Sequence, residues 1–278
     1  MTCPAARHEE MRTAVALSIL TAAMAAVQSA GGILVPGIYR DNLWVVGTWH
    51  GTDLVTLMIA VPILLVGIYY ARQGSCRGWL LWIGMLYYVL YNNMYYLFGT
   101  AFNRFIIVYE LLLVLSAGAL LSALVAIDAG RIAAHLRPGG WTKWIAGWMF
   151  VLAAILLANA LSEYIAFLRD GQVPQIIADT GLQTDLVAIC DMTLWVPLLL
   201  LGGVWLLRSR PWGYIVSPLI LVSAGVYFIG LVAATWFQDI AGIPGAMTFM
   251  PLWIALAAGS LVSSAAFLAA LKSPEHAS

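Results

Sequence analysis

Charge is what this chain lacks most: 9% of its 278 residues are charged, against 63% hydrophobic. Soluble domains carry roughly 25% charged residues. With a mean hydropathy of +0.92, the chain reads as an integral membrane protein. Its 13 basic and 13 acidic residues cancel, so there is no global positive field to attract nucleic acid and no dense basic cluster to hold lipid headgroups. The expected partners are the lipid bilayer and a small-molecule or lipid ligand, with no nucleic acid. Composition carries no signal for a cofactor or an oligomeric state.

Other scarcities exclude particular chemistries. Lys143 and Lys272 are the only lysines, and both fall at helix ends, which leaves no candidate for a retinal Schiff base. Of four histidines, His8 and His276 lie in the tails and His135 in a loop. His50 alone is near a span, so haem held by two histidines has no second ligand at bilayer depth. Cys3, Cys76 and Cys190 form no C-x-x-C pair and read as three unrelated structural cysteines. The chain has no G-x-S-x-G, H-E-x-x-H or G-x-x-x-x-G-K-[ST], and with them go serine hydrolase, zinc protease and nucleotide-driven readings.

What is abundant is apolar sequence in lengths that cross a bilayer. A spanning helix needs about 20 mostly apolar residues, and eight stretches qualify: 13–35, 51–71, 78–98, 104–127, 143–167, 186–207, 212–237 and 246–271. Charge, proline or glycine separates them. The expected fold is therefore all-α and polytopic, a single membrane domain over 1–278. The first stretch follows Arg7 and Arg12 as a signal peptide would. Gln28 is a poor residue before a cleavage site, however, and the apolar run continues through Val35, which favours a retained anchor.

Basic residues distribute unevenly between the two sides. Arg7, Arg12, Arg72, Arg77, Arg131, Arg137, Lys143, Arg208, Arg210 and Lys272 fall on one, and Arg40, Arg104 and Arg169 on the other. By the positive-inside rule both termini are cytoplasmic. An internal echo joins Thr52-Asp53-Leu54-Val55 and Val61-Pro62 to Gly67 with Thr184-Asp185-Leu186-Val187 and Val196-Pro197 to Gly202. It matches the second and third spans to the sixth and seventh, and predicts a four-plus-four parallel repeat with halves 13–128 and 143–271.

Strongly polar side chains at bilayer depth cost about 2.5–3.5 kcal/mol each on insertion scales, so each needs a partner or a wet cavity. His50 and Asp53 share a helix face at i,i+3 spacing. Tyr88, Asn92 and Tyr96 form one i,i+4 stripe, and Tyr91 and Tyr95 the neighbouring one. Asn93, Asn103, Glu110, Glu163, Asp185 and Asp191 complete a set that the topology places in the outer half of the membrane. The candidate ligand-binding residues are therefore His50, Asp53, Tyr88, Asn92, Asn93, Tyr96, Asn103, Glu110, Glu163, Asp185 and Asp191. Spacing alone makes no metal site of them. Mutual satisfaction as interhelical glue, at about 0.6–2 kcal/mol per contact, is the competing reading.

The stretches Trp49-His50-Gly51-Thr52-Asp53-Leu54 and Arg208-Ser209-Arg210-Pro211-Trp212-Gly213-Tyr214, with the tyrosine/asparagine run of the third span, resemble bacterial polytopic membrane proteins of uncharacterised function. The resemblance implies a bacterial inner-membrane, multi-pass location and supplies no activity.

Three functions compete. The leading one is a bundle that binds or conducts a small polar or cationic solute through an outward-facing chamber lined by Asp53, Glu110, Glu163, Asp185 and Asp191. The second is an intramembrane enzyme acting on a lipid-like substrate, with His50 as acid/base and Asp53 or Glu110 orienting it. The third is a non-catalytic structural or assembly subunit.

Overall fold

A computed structural model describes residues 8–136 and 139–271. Cys3, Arg7, Arg137, Lys272 and His276, with the side chain of His8, lie outside the described residues. The described chain is all-helical. Its long helices are α1 (His8–Leu34), α2 (Leu43–Arg72), α3 (Cys76–Gly99), α4 (Ile106–Ala126), α5 (Gly140–Asp170), α6 (Leu186–Leu207), α7 (Gly213–Ile240) and α8 (Met250–Ala270). Short helical turns at Ala129–Ala134, Gln175–Thr180 and Ala246–Phe249 lie in the connections.

Seven of these helices are long and apolar enough to cross a membrane. The exception is α3, whose 24 residues suffice in length, at 1.5 Å per residue, for a hydrocarbon core of about 30 Å. Its tryptophans, tyrosines and asparagines lower its hydropathy. Packing explains why it tolerates them: α3 lies at the centre of the bundle beside α7, and contacts α2, α4 and α7. The apolar window of α7 is 78% buried, against 33–44% in the other six. Polar side chains on α3 therefore face protein rather than lipid.

Glycine sets how closely these helices approach. A Cβ on Gly51 of α2 would strike the backbone of Ala233 and Ala234 in α7, so that crossing is a backbone contact that only glycine permits. In the α2–α3 hairpin Gly67 faces the backbone of Trp82, and Gly78 faces Ala71. In the α6–α7 hairpin Gly202 faces Ser217, and Gly213 faces Leu206. The connecting turns agree as well. Gly74 N–H donates to Ala71 and Ser75 N–H to Tyr70, while Ser209 N–H donates to Leu206 and Arg210 N–H to Trp205. Gly74 and Ser209, at the same place in the two turns, both have positive φ, 82° and 50°.

Both α2 and α6 are broken in mid-course. Thr56–Ala60 and Asp191–Trp195 are single π-turns, each running into Val-Pro. Proline lacks an N–H and its ring crowds the carbonyl four residues back, so a wider turn relieves the clash. Val61 N–H reaches Thr56 and Val196 N–H reaches Asp191, the five-residue reach of a π-helix. The Thr-Asp-Leu-Val part of the sequence echo does not share this register. Thr52–Val55 lies inside α2, whereas Asp185 caps the start of α6 by accepting the Ala188 N–H at 2.9 Å. Cys76 is disulfide-bonded, which corrects the expectation of three unrelated cysteines; Cys190 is a buried free thiol.

Candidate functional site

The two tyrosine stripes of α3 each serve a different carboxyl. Asp53 in α2, 0% exposed, accepts the Tyr96 hydroxyl at 2.8 Å and the Tyr39 hydroxyl at 2.5 Å. Tyr39 belongs to the α1–α2 connection and packs against Trp49, His50 and Tyr96. Trp49 in turn lies on Tyr96 with ring centroids 4.5 Å apart. There is room for this arrangement because α1 has no side chain at Gly32, where a Cβ would collide with both the Asp53 carboxyl and the Tyr39 hydroxyl. Tyr88, two turns below Tyr96 on the same stripe, bonds Thr56 at 2.8 Å at the head of the π-turn.

The other stripe, Tyr87, Tyr91 and Tyr95, faces α6. The Tyr91 hydroxyl donates to Asp191 at the first position of the second π-turn, and it also meets the Tyr95 hydroxyl at 2.5 Å. Trp195 and Tyr227 pack on Tyr91 with centroids 5.0 and 5.4 Å apart. Unlike Asp53, Asp191 has a second oxygen that accepts no hydrogen bond among the described residues, and the residue is only half-buried. Two buried donors beside it are likewise unpaired: the Tyr87 hydroxyl and the Trp195 indole N–H. Neither Asp53 nor Asp191 has a cationic partner among the described residues. The ion pairs there are Arg131–Asp128 and Arg169–Asp170, both outside this region.

The connections at this end of the bundle are tied to one another. Asp41 accepts the Ala101 N–H at 2.7 Å, and Asn42 caps α2 while donating to the Asp179 carbonyl at 2.8 Å. Burial pushes the Asp41 carboxyl above its ordinary pKa, and the Ala101 N–H offsets part of that by favouring the charged form. Burial, followed by the negative charge of Asp53, drives the Tyr39 phenol far upward, so Tyr39 remains a hydrogen-bond donor at any physiological pH.

The residues expected to form one chamber are thus divided. Asp53, Tyr88 and Tyr96 meet, with His50 against Tyr39 and Phe237 at ring distances of 6.0 and 5.8 Å. No hydrogen bond joins His50 to Asp53 among the described residues, because the Asp53 oxygens are taken by tyrosines. Asp191, Asp185 and Glu163 form a second group, in which Glu163 meets Asp185 carboxyl to carboxyl and Asp185 lies in electrostatic reach of Asp191. Asn92 is buried on the first stripe. Asn93 donates to the Tyr109 carbonyl at 2.6 Å, bracing α3 on α4. Asn103 shapes the turn before α4 by accepting the Phe105 N–H at 2.8 Å. Glu110 joins neither group and lies exposed on α4 beside Ile107, Leu111 and Val114.

The residues missing from the expectation are Tyr39, Tyr87, Trp195 and Tyr227. Tyr87 was legible as the i−4 extension of Tyr91 and Tyr95. Tyr39 sits in a connection and Tyr227 in an apolar helix, where no spacing marks them. Among the described residues no group of three His, Cys, Asp or Glu side chains converges as metal ligands do. Comparison with protein-family models, curated proteins and solved structures gives no match.

Proposed function

We propose that this multi-pass membrane protein binds a small polar or cationic solute at Asp191, in the outer half of the bilayer, as a step in its transport. The observation that carries the reading is the state of Asp191. It opens the π-turn of a proline-broken helix and, among the described residues, has no cationic partner and keeps one oxygen free of hydrogen bonds; it is half-buried, with the unpaired Tyr87 hydroxyl in electrostatic reach. A carboxyl at membrane depth marks a solute or ion path by default, and broken helices in matching positions are where transporters place their sites.

The wider architecture goes with this reading. With α3 counted, eight helices cross, both termini are cytoplasmic in a bacterial inner membrane, and the chain is one membrane domain of two four-helix repeats. The matched hairpins, π-turns and glycine contacts of α2–α3 and α6–α7 support the repeat. A non-catalytic assembly role is favoured at one place: Asp53, whose two oxygens accept the Tyr96 and Tyr39 hydroxyls, acts as an anchor of the bundle. The enzyme reading draws no support from Asp53, which makes no hydrogen bond to His50 among the described residues, or from Glu110, which lies exposed on α4.

The test uses protein reconstituted in liposomes on a solid-supported membrane, with concentration jumps of methylammonium, sodium and potassium. Transient currents for at least one cation, lost in Asp191→Asn and kept in Glu110→Gln, are expected. Currents unchanged by Asp191→Asn, or absent for all three cations in the unmodified protein, would remove the proposal.

A further inference from the structure

Around the free oxygen of Asp191 the side chains offer more than a negative charge. Tyr87, 5% exposed, and Trp195, 1% exposed, carry a hydroxyl and an indole N–H with no hydrogen-bond partner. The Tyr87 hydroxyl lies in electrostatic reach of the Asp191 carboxyl and the Cys190 thiol. Buried donors are nearly always satisfied, so an orphaned phenol in electrostatic reach of a half-free carboxyl points to an absent acceptor. The remaining surroundings are aromatic. Tyr91, Tyr95, Trp195 and Tyr227 pack at centroid separations of 5.0–6.4 Å, offering ring faces and edges around the carboxyl.

These features select among cations. Sodium or potassium is held by several oxygen ligands at once, whereas aromatic rings make up much of the surroundings of Asp191. An organic ammonium is held by one carboxylate and by aromatic faces within about 6 Å. A hydrogen-bond acceptor on the same molecule satisfies the orphaned phenol. We infer that the Asp191 site takes a small organic ammonium that also carries an acceptor group, of the amino-alcohol or betaine class. The inference rests on the proposed solute site at Asp191 and adds the chemical class of the solute. On the α5–α6 side, Glu163 meets Asp185, and Asp185 lies in electrostatic reach of Asp191.

The test is titration of detergent-solubilised full-length protein with ethanolamine, glycine betaine, tetramethylammonium, sodium and potassium, read by calorimetry and by tryptophan fluorescence. Ethanolamine or betaine should bind more tightly than either metal ion. Asp191→Asn should weaken binding at least tenfold. Tyr87→Phe removes one neutral hydrogen bond, and should weaken ethanolamine and betaine by about tenfold while leaving tetramethylammonium unchanged. Since Tyr87→Phe keeps the ring and its packing, it reads the donor alone even where Asp191→Asn unfolds. Binding of sodium or potassium that depends on Asp191, with none of the organic cations, would overturn the solute class and leave the site standing. No binding by any of the five would overturn both. Equal loss of ethanolamine and tetramethylammonium in Tyr87→Phe would overturn the role of the acceptor.

Discussion

Replacing Tyr96 by phenylalanine removes its bond to Asp53, with a longer one to the Trp49 carbonyl at 3.4 Å, without disturbing the ring that packs on Trp49 and Tyr109. The bond is 2.8 Å, fully buried, and made to a carboxyl whose other donor is Tyr39. Interhelical hydrogen bonds in membrane proteins average about 0.6 kcal/mol and reach about 1.7 kcal/mol, whereas those to charged groups in proteins run about 1.5–3 kcal/mol. The magnitude therefore reports the state of Asp53. A loss near 0.6–1 kcal/mol goes with a protonated carboxyl, and a loss above about 2 kcal/mol with a carboxylate left short of a donor at bilayer depth. The assay is reversible unfolding in mixed micelles for Tyr96→Phe, Asp53→Asn and the double variant. A coupling free energy of at least about 0.5 kcal/mol is expected, because both changes touch one bond. A cycle that closes to zero would refute the anchor. Glu110→Gln, on the exposed face of α4, should change stability by less than about 0.5 kcal/mol and serves as the control.

Gly51→Val should lower stability by about 1–3 kcal/mol or more, seen as a lower melting temperature, since its side chain meets backbone rather than a movable side chain; an unchanged melting temperature would deny the close α2–α7 crossing. Asp41 supplies a pH signature. Its folded-state pKa is raised, so the folded protein holds that proton more tightly, and stability falls as pH rises from the ordinary carboxylate range through the raised value. Asp41→Asn should flatten that limb of the pH–stability curve, and a curve identical to that of the unmodified protein would count against it. Orientation is read by labelling single cysteines with an impermeant maleimide in a background where Cys3, Cys76 and Cys190 are replaced by alanine. Gly171→Cys should react in intact cells and Gln73→Cys only after lysis. The disulfide at Cys76 sharpens this test, because disulfides persist in oxidising compartments and the basic-residue count puts that loop in the cytoplasm. The reverse labelling pattern would invert the topology.

How much of this was legible in the sequence depends on which force decides each feature. Spans are set by apolar length, and the expected stretches fall on the observed helices, α2 starting eight residues earlier than 51 because Asn42 caps it. The two stripes of α3 were legible as i,i+4 spacing, since side-chain periodicity is a property of the helix itself. Which partner each stripe meets was not, because that depends on how α2 and α6 pack beside α3. Glu110 shows the limit most directly. Topology gives its depth but not its rotation about the helix axis, and it faces outward. Tyr39 shows another limit, since a residue in a connection has no period to place it and is recognised only once Gly32 opens the space it fills.

The prolines of the two broken helices bear on both the repeat and the site. A proline in a regular helix interior costs about 3 kcal/mol. If the π-turns at Thr56–Ala60 and Asp191–Trp195 exist to accommodate Pro62 and Pro197, most of that strain is already relieved, and Pro62→Ala or Pro197→Ala should stabilise by less than about 1 kcal/mol as long as the π-turn is kept, and should destabilise where its collapse breaks the carboxyl's bond to tyrosine. The larger consequence is rotational. A π-turn holds one residue more than an α-turn, and its collapse would turn the preceding segment by about 100°, one residue of a 3.6-residue turn. In α6 that rotation would carry Asp191 away from Tyr91 and Tyr87, so Pro197→Ala should weaken ammonium binding even where stability is unchanged. In α2 it would pull Asp53 from Tyr96, so Pro62→Ala should abolish the Tyr96–Asp53 coupling and leave binding near normal. Stabilisation by the full 3 kcal/mol in either variant would show a strained proline and no accommodation. Loss of binding in Pro62→Ala with none in Pro197→Ala would reverse the roles assigned to the two carboxyls.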